Sequence, residues 1–465
     1  MKRFILSVTT GLLLMLLISA CDGLLDTEPT IQISSDQVTT TVSGMEAILI
    51  SAYDRLRDEN LYRYWIMGAP EILADNSQLH PINSGRFSGQ AENQIGSHFT
   101  SGVWSTSYRL INEANIIIDG IERTETTQAT RDRIKGEALF LRGLAYHELH
   151  RVYAYEPNHP MLSEWSEGVI MRTNPTLGLS DADMRPRSSV AEGYQQIEAD
   201  FLEAAQLLDG NDRGSVHFVN LATVHAGLAR LYLYWERWAD AYEHAGLALE
   251  NAIGNLTDYS SGANIFDMLP NPEAIFELSF DNTHGSSGSM NAVTSPPPGW
   301  FDLLPSDELL ALYSDDDLRN NLFAVHTDGF PYILKYPGTV GQNTDNIVVF
   351  RIPEMILIQA EAAFELGQEA TAIGHLNTLR AARGLGAYDT PPSGQALFNE
   401  IFDERRRELA FEGHRWFDLK RRAMEVPKPA VNLNPPLSFD DFRILAPLSG
   451  TQVENNPLLN QNPGY

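Results

Sequence analysis

Two stretches far apart in the chain carry small residues at the same offsets. In "LARLYLYWERWADAYEHAGLAL" (228–249), Ala229 and Tyr232 are followed by Ala241, Ala245 and Ala248. In "AEAAFELGQEATAIGHLNTL" (360–379), Ala360 and Ala363 are followed by Ala372, Leu376 and Leu379. Antiparallel helices approach closely only where side chains are small. Each stretch therefore predicts a tight helical hairpin, and the shared spacing predicts a repeat.

Such hairpins have the small-residue pattern of tetratricopeptide units. Apolar residues recurring at three and four predict further helices at 104–122 and 133–153, with others near 40–57 and 188–208. Pairing 40–57 with 104–122 and 133–153 with 188–208 completes about four hairpins. The expectation is an all-α dominated, tetratricopeptide-like helical repeat scaffold spanning 41–465. Excursions at 61–103, 154–187 and 254–350 lose helical periodicity and gain Gly, Pro, Asn and aromatic residues. The last is too long for a plain loop in a compact domain and should carry structure and function. These loop-rich insertions are expected to form a ligand-binding face.

The N-terminus has Lys2 and Arg3, an apolar run from Phe4 to Ile18, then Ser19, Ala20 and Cys21. That run is too short to span a bilayer and reads as an export signal over 1–20. Ile18-Ser19-Ala20-Cys21 resembles a bacterial lipoprotein box, with cleavage before Cys21, lipidation of its thiol and a tether over 21–40. Cys21 is the only cysteine in the chain. The net charge is −28, and loss of residues 1–20 removes only Lys2 and Arg3 among charged groups, giving −30. Anchoring is therefore expected through lipid alone, and a nucleic-acid partner is not expected.

The most basic segment, "DERRRELAFEGHRWFDLKRR" (403–422), holds seven Lys or Arg among five Asp or Glu. On a helix, Phe398, Phe402, Leu409, Gly413 and Trp416 share a stripe. Glu404, Glu408 and Glu412 fall at pairing distance from Arg405, Arg407 and Arg415. This predicts a charge-compensated amphipathic helix packed on the scaffold.

The same segment resembles the C-terminal signature of the SusD/RagB family. "WSTSYRLINEANIIID", "RIKGEALFLRGLAYHELHRVY", "YQQIEADFLEAAQLL", "FRIPEMILIQAEAAFELG", "LNTLRAARGL" and "NPLLNQNPGY" agree with it in family order. "ILAPLSGTQVENNP" lacks the second proline often found in the family's "LPIP" segment. The resemblance implies a non-enzymatic lipoprotein at the outer-membrane surface. It would bind a glycan, or alternatively a peptide, and deliver it to a SusC-type TonB-dependent barrel without a cofactor. A surface glycosidase and a protein-tail adaptor are the competing readings.

A sugar presents an apolar C–H face and a hydroxyl rim, so its receptor needs aromatic planes beside amide, carboxylate or guanidinium groups. The first excursion offers Tyr62, Tyr64, Trp65, Asp75, Asn76, His80, Arg86 and Phe87. The insertion offers His284, Trp300, Phe301, Phe330, Tyr332, Tyr336 and Asn343. The candidate contacts are Trp65, Asp75, Asn76, Arg86, Phe87, Trp300, Phe301 and Tyr332. Trp300 follows "SPPPG", a stiff approach expected to hold its ring proud of the surface. Trp104, Trp235, Trp238 and Trp416 lie inside helical patterns and are expected in the core. "HELH" (147–150) has its histidines at i and i+3, not the i and i+4 of a zinc protease helix. "SDDDLRNN" (314–321) reads as a solvated turn, with calcium as the alternative.

Overall fold

The computed structural model describes residues 40–99, 101–178, 183–281, 288–339, 341–432 and 434–465. Cys21, with the rest of 1–39, and His284 lie outside the described residues.

The scaffold is all-α and built from paired helices. Helix α1 (Val42–Leu56) is capped by the Thr41 side chain, which accepts from the Gly44 amide. After a short helix α2 (Trp65–Leu73), the long α3 (Ser101–Gly120) returns to pack on α1. Ser51 and Arg55 of α1 both donate to Glu113 of α3. Helix α4 (Gln128–Tyr153) pairs with α5 (Val190–Leu208), whose N-terminus carries a Ser189–Glu192 capping box. Helices α6 (Leu221–Tyr234) and α7 (Trp238–Asn251) form the third hairpin. Helices α8 (Ile352–Glu365) and α9 (Glu369–Ala382) form the fourth. Successive pairs touch through α3–α4, α5–α6 and α7–α8, which makes one continuous stack.

The small residues do what their spacing predicted. The buried positions of α7 are Ala241, Ala245 and Ala248, and those of α9 are Ala372, Leu376 and Leu379. Between α4, α5 and α6 the rings of Phe140 and Phe201 stack at 4.9 Å. Gly143 and Gly227 make room for them: a Cβ would lie 2.6 Å from Phe201 at the first and 2.7 Å from Phe140 at the second. The insertion between the third and fourth hairpins closes on itself. Its strand β2 (Ala274–Leu278) pairs antiparallel with β6 (Ile347–Arg351), from Ala274 opposite Arg351 to Leu278 opposite Ile347. The excursion thus leaves and rejoins the stack at one place.

Helices α10 (Gln395–Leu409) and α11 (Arg415–Arg421) contain most of the basic segment. The expectation that the charges are compensated by neighbours along the helix needs correction. Only Arg407–Glu404 and Arg421–Asp418 pair three residues apart. Arg405 reaches Asp418 (2.8 Å), Arg415 reaches Asp75 (2.7 Å), Lys420 reaches Glu156 (3.1 Å) and Arg421 reaches Glu361 (2.6 Å). Most of these charges are buried, so each must meet an opposite charge wherever the fold brings one. Trp104 and Trp416 are core residues, whereas Trp235 and Trp238 are partly buried against the core.

Candidate functional site

The first excursion and the insertion are sewn together by a short ladder. Strand β1 (Ser77–Leu79) pairs antiparallel with β3 (Leu303–Pro305), and the amides of His80 and Ser306 donate across both ends, to Asp302 O and Asn76 O, at 3.0 Å. Around this seam the aromatic residues gather. Tyr64, Trp65 and Phe87 stand 5.1–5.2 Å apart, ring centre to ring centre. The Arg86 guanidinium lies 3.6 Å over the Trp300 ring, a close cation–π stack. Its Nη1 donates to Ser84 Oγ at 2.5 Å, and the Ser84 amide and hydroxyl donate to the buried Asp302 carboxylate at 3.0 and 3.1 Å.

On the far side of Trp300, Phe301 packs against His80 (4.8 Å), His326 (5.6 Å) and Tyr332 (6.2 Å), and His80 against Phe330 (4.7 Å). His80 Nδ1 accepts from the Ile82 amide at 3.1 Å, so Nε2 is the nitrogen that faces Asp328 at 3.3 Å. Strands β4 (Phe323–Val325) and β5 (Pro331–Ile333) form the hairpin whose turn presents His326 and Asp328. Phe87 and Phe301 both adopt left-handed backbone, at φ 59° and 54°. For a bulky side chain this conformation costs on the order of 1–3 kcal/mol and persists only where surroundings impose it. Both residues are buried in the seam, so packing of their rings supplies the constraint.

The structure brings together Trp65, Arg86, Phe87, Trp300, Phe301 and Tyr332. Trp65, Arg86, Trp300 and Tyr332 are half-exposed, while Phe87 and Phe301 are buried supports beneath them. Trp300 does not stand proud. Residues 295–299 close a turn in which Gly299 N donates to Pro296 O (2.9 Å) and Trp300 N to Ala292 O (2.5 Å), drawing the ring back under Arg86.

Asp75 and Asn76 are not part of the face. Asp75 is buried and pairs with Arg415 (2.7 Å) and Arg406 (3.0 Å). Asn76 donates to Glu71 and accepts from Arg406 Nε, both at 2.7 Å. Their polar atoms are spent tying α10 and α11 to α2. Sequence reasoning missed His326 and Asp328; the Asp-Gly step at 328–329, with Gly329 at φ 89°, was the hairpin signal that could have found them.

Trp65 also lines a pocket of about 290 Å³, whose walls include Gln90, Phe99, Leu448 and Ser449. Half-exposed rings with a guanidinium, an imidazole and a carboxylate at their rim can hold an apolar ring face and its hydroxyls.

The two histidines of "HELH" are buried in α4, and burial drives their imidazoles toward the neutral form, His150 down to about 4. Gly193 of α5 lies against His150. Asp317 is buried and engaged by Arg319 at 2.7 Å, so its carboxylate is already paired with a guanidinium. Among the described residues no group of three metal-capable side chains stands together, and no helix is long and apolar enough to cross a membrane.

Comparison with known proteins agrees with this architecture. The SusD family model matches residues 326–465, and a model described as "Starch-binding associating with outer membrane" matches 24–233. A SusD-like protein of Formosa agariphila is 27% identical, with 100% of each chain covered. A SusD superfamily protein from Bacteroides thetaiotaomicron superposes with a TM-score of 0.79 at 25% identity, covering 91% of this chain and 100% of the other. A putative sugar binding protein from Bacteroides vulgatus has the same fold, with a TM-score of 0.79, 24% identity and coverage of 92% and 99%. With two family models matching 24–233 and 326–465, relatives alike from end to end and the same helical stack beneath, the chain belongs to the SusD/RagB family.

Proposed function

We propose that this protein is a non-catalytic glycan-binding protein of the outer-membrane surface. The seam between the two excursions would serve as its binding face. The observation that carries the reading is the convergence of Trp65, Arg86, Trp300 and Tyr332 from segments more than 200 residues apart onto one half-exposed surface. Aromatic planes there meet sugar C–H faces, and Arg86, His326 and Asp328 meet hydroxyls. The family's description as starch-binding and outer-membrane-associated supports the ligand class and the location. Delivery to a SusC-type TonB-dependent barrel and a lipid anchor on Cys21 complete the proposal; they rest on family membership and on the signal-like N-terminus.

The test is a glycan and peptide array followed by calorimetry on the best binder. Trp300→Ala should weaken binding about thirtyfold, roughly 2 kcal/mol, with the helical spectrum unchanged. Unaltered affinity would remove Trp300 from the site. Binding of peptides alone would replace the glycan reading, and cleavage of a bound polysaccharide would refute the non-catalytic one. Retention of Cys21→Ser in the membrane fraction, without a barrel partner, would refute the lipid anchor.

A further inference from the structure

The third hairpin carries two histidines that the proposed binding face does not use. His225 of α6 and His244 of α7 are both half-buried, with their Nδ1 atoms 3.0 Å apart and their rings 5.2 Å apart at 33°. We propose that this pair binds one divalent first-row transition-metal cation, with the two Nδ1 atoms as protein ligands and water at the remaining positions.

The geometry selects among cations. Metal–nitrogen bonds of about 2.0–2.1 Å that span the 3.0 Å separation subtend an angle of about 94° at the metal. That is close to the cis angle of square-planar or octahedral coordination, about 90°, and well short of the tetrahedral value of about 109°. The spacing therefore matches Cu²⁺ and Ni²⁺, whereas Zn²⁺ needs the imidazoles to move apart.

The ligands are held before any metal arrives. Each sits on a helix of a hairpin whose spacing is set by buried Ala241 and Ala245. The Tyr232 ring lies 5.4 Å from His244, and its hydroxyl is fixed by Glu198 at 2.7 Å. The surroundings favour a cation: Glu198 of α5, Asp209 just past its C-terminus, and Asp240 and Glu243 of α7 all act on the pair electrostatically. The nearby cation, Arg237, is itself engaged by Glu198 and Asp240.

At 3.0 Å the two Nδ1 atoms share one hydrogen, so one ring already presents a bare Nδ1. The one hydrogen shared between the Nδ1 atoms must move to Nε2, a tautomer exchange through solvent with no net proton release.

The purified full chain, carrying no histidine tag, is titrated with CuCl2 and NiCl2 at pH 7 by calorimetry. One saturable equivalent is expected. His225→Gln and His244→Gln should each weaken it at least tenfold, and His217→Gln should leave it unchanged. The electron paramagnetic resonance spectrum of the copper adduct should show hyperfine structure from two imidazole nitrogens. The absence of a saturable equivalent, or parent-like binding by both variants, overturns the proposal. Should the variants fail to fold, a copper spectrum with any other nitrogen count overturns it on the parent protein alone.

Discussion

Replacing Glu408 by Gln tests how the basic C-terminal segment holds the molecule together. Glu408 accepts from Arg319 Nη1 (3.0 Å), Arg351 Nη1 (2.6 Å), and Arg383 Nε and Nη2 (3.0 and 2.8 Å). It belongs to a buried cluster in which five cations (Arg319, Lys335, Arg351, Arg383, Arg407) meet five carboxylates (Glu273, Asp317, Glu404, Glu408, Glu412). Burial alone would push the Glu408 carboxyl up. Arg383, Arg351 and Arg319 instead hold it well below the ordinary carboxylate range. Glu408→Gln keeps the shape but leaves one positive charge in excess where water cannot reach it. Removing one partner of a buried pair costs about 3–5 kcal/mol, and that is the loss expected in urea unfolding at pH 7. The double variant Glu408→Gln/Arg383→Met restores the balance, so its loss should fall short of the sum of the two single losses by about 0.5–3 kcal/mol. A loss under about 1 kcal/mol for Glu408→Gln, or strict additivity in the double variant, would refute the reasoning. Because the folded pKa is depressed, this stabilisation is complete above the unfolded value and disappears as pH falls through the folded one, placing it in the acid limb below about 4.5.

Gly413 has φ +77°, and a Cβ there would lie 2.4 Å from the Ile66 carbonyl oxygen, so Gly413→Ala should cost at least about 2 kcal/mol by thermal melting. A neutral result would mean that the 66–67 and 410–414 backbones do not pack as described. Burial holds His98 down to about 3 and His150 to about 4. The unfolded chain therefore takes up these protons first. Stability is full above about pH 6.5 and falls as pH drops toward 4, by about 1.4 kcal/mol per pH unit for each histidine. His98→Gln should flatten the slope of urea midpoint against pH between 6.5 and 4, and an unchanged slope would contradict it. Asp75→Asn should lower the melting temperature with little change in glycan affinity; loss of binding in a folded variant would return Asp75 to the face.

The repeat was legible in the sequence because it is a local matter. Whether Ala241, Ala245 and Ala248 fall on one stripe depends only on the helical period, and small residues on a stripe require a close neighbour whatever the rest of the chain does. The excursions were legible as breaks in that period, and their aromatic content is what motivates placing the proposed ligand there. Which of their residues face out was not legible. Asp75 and Arg86 lie in one polar stretch, yet Asp75 is claimed by Arg415, 340 positions away, while Arg86 lies over Trp300 from the insertion. The basic segment shows the same limit: its sequence announced that its charges would be compensated, but not by whom. Buried charges take partners by proximity in space, and proximity between segments hundreds of residues apart is decided only when the hairpins stack and β1 meets β3.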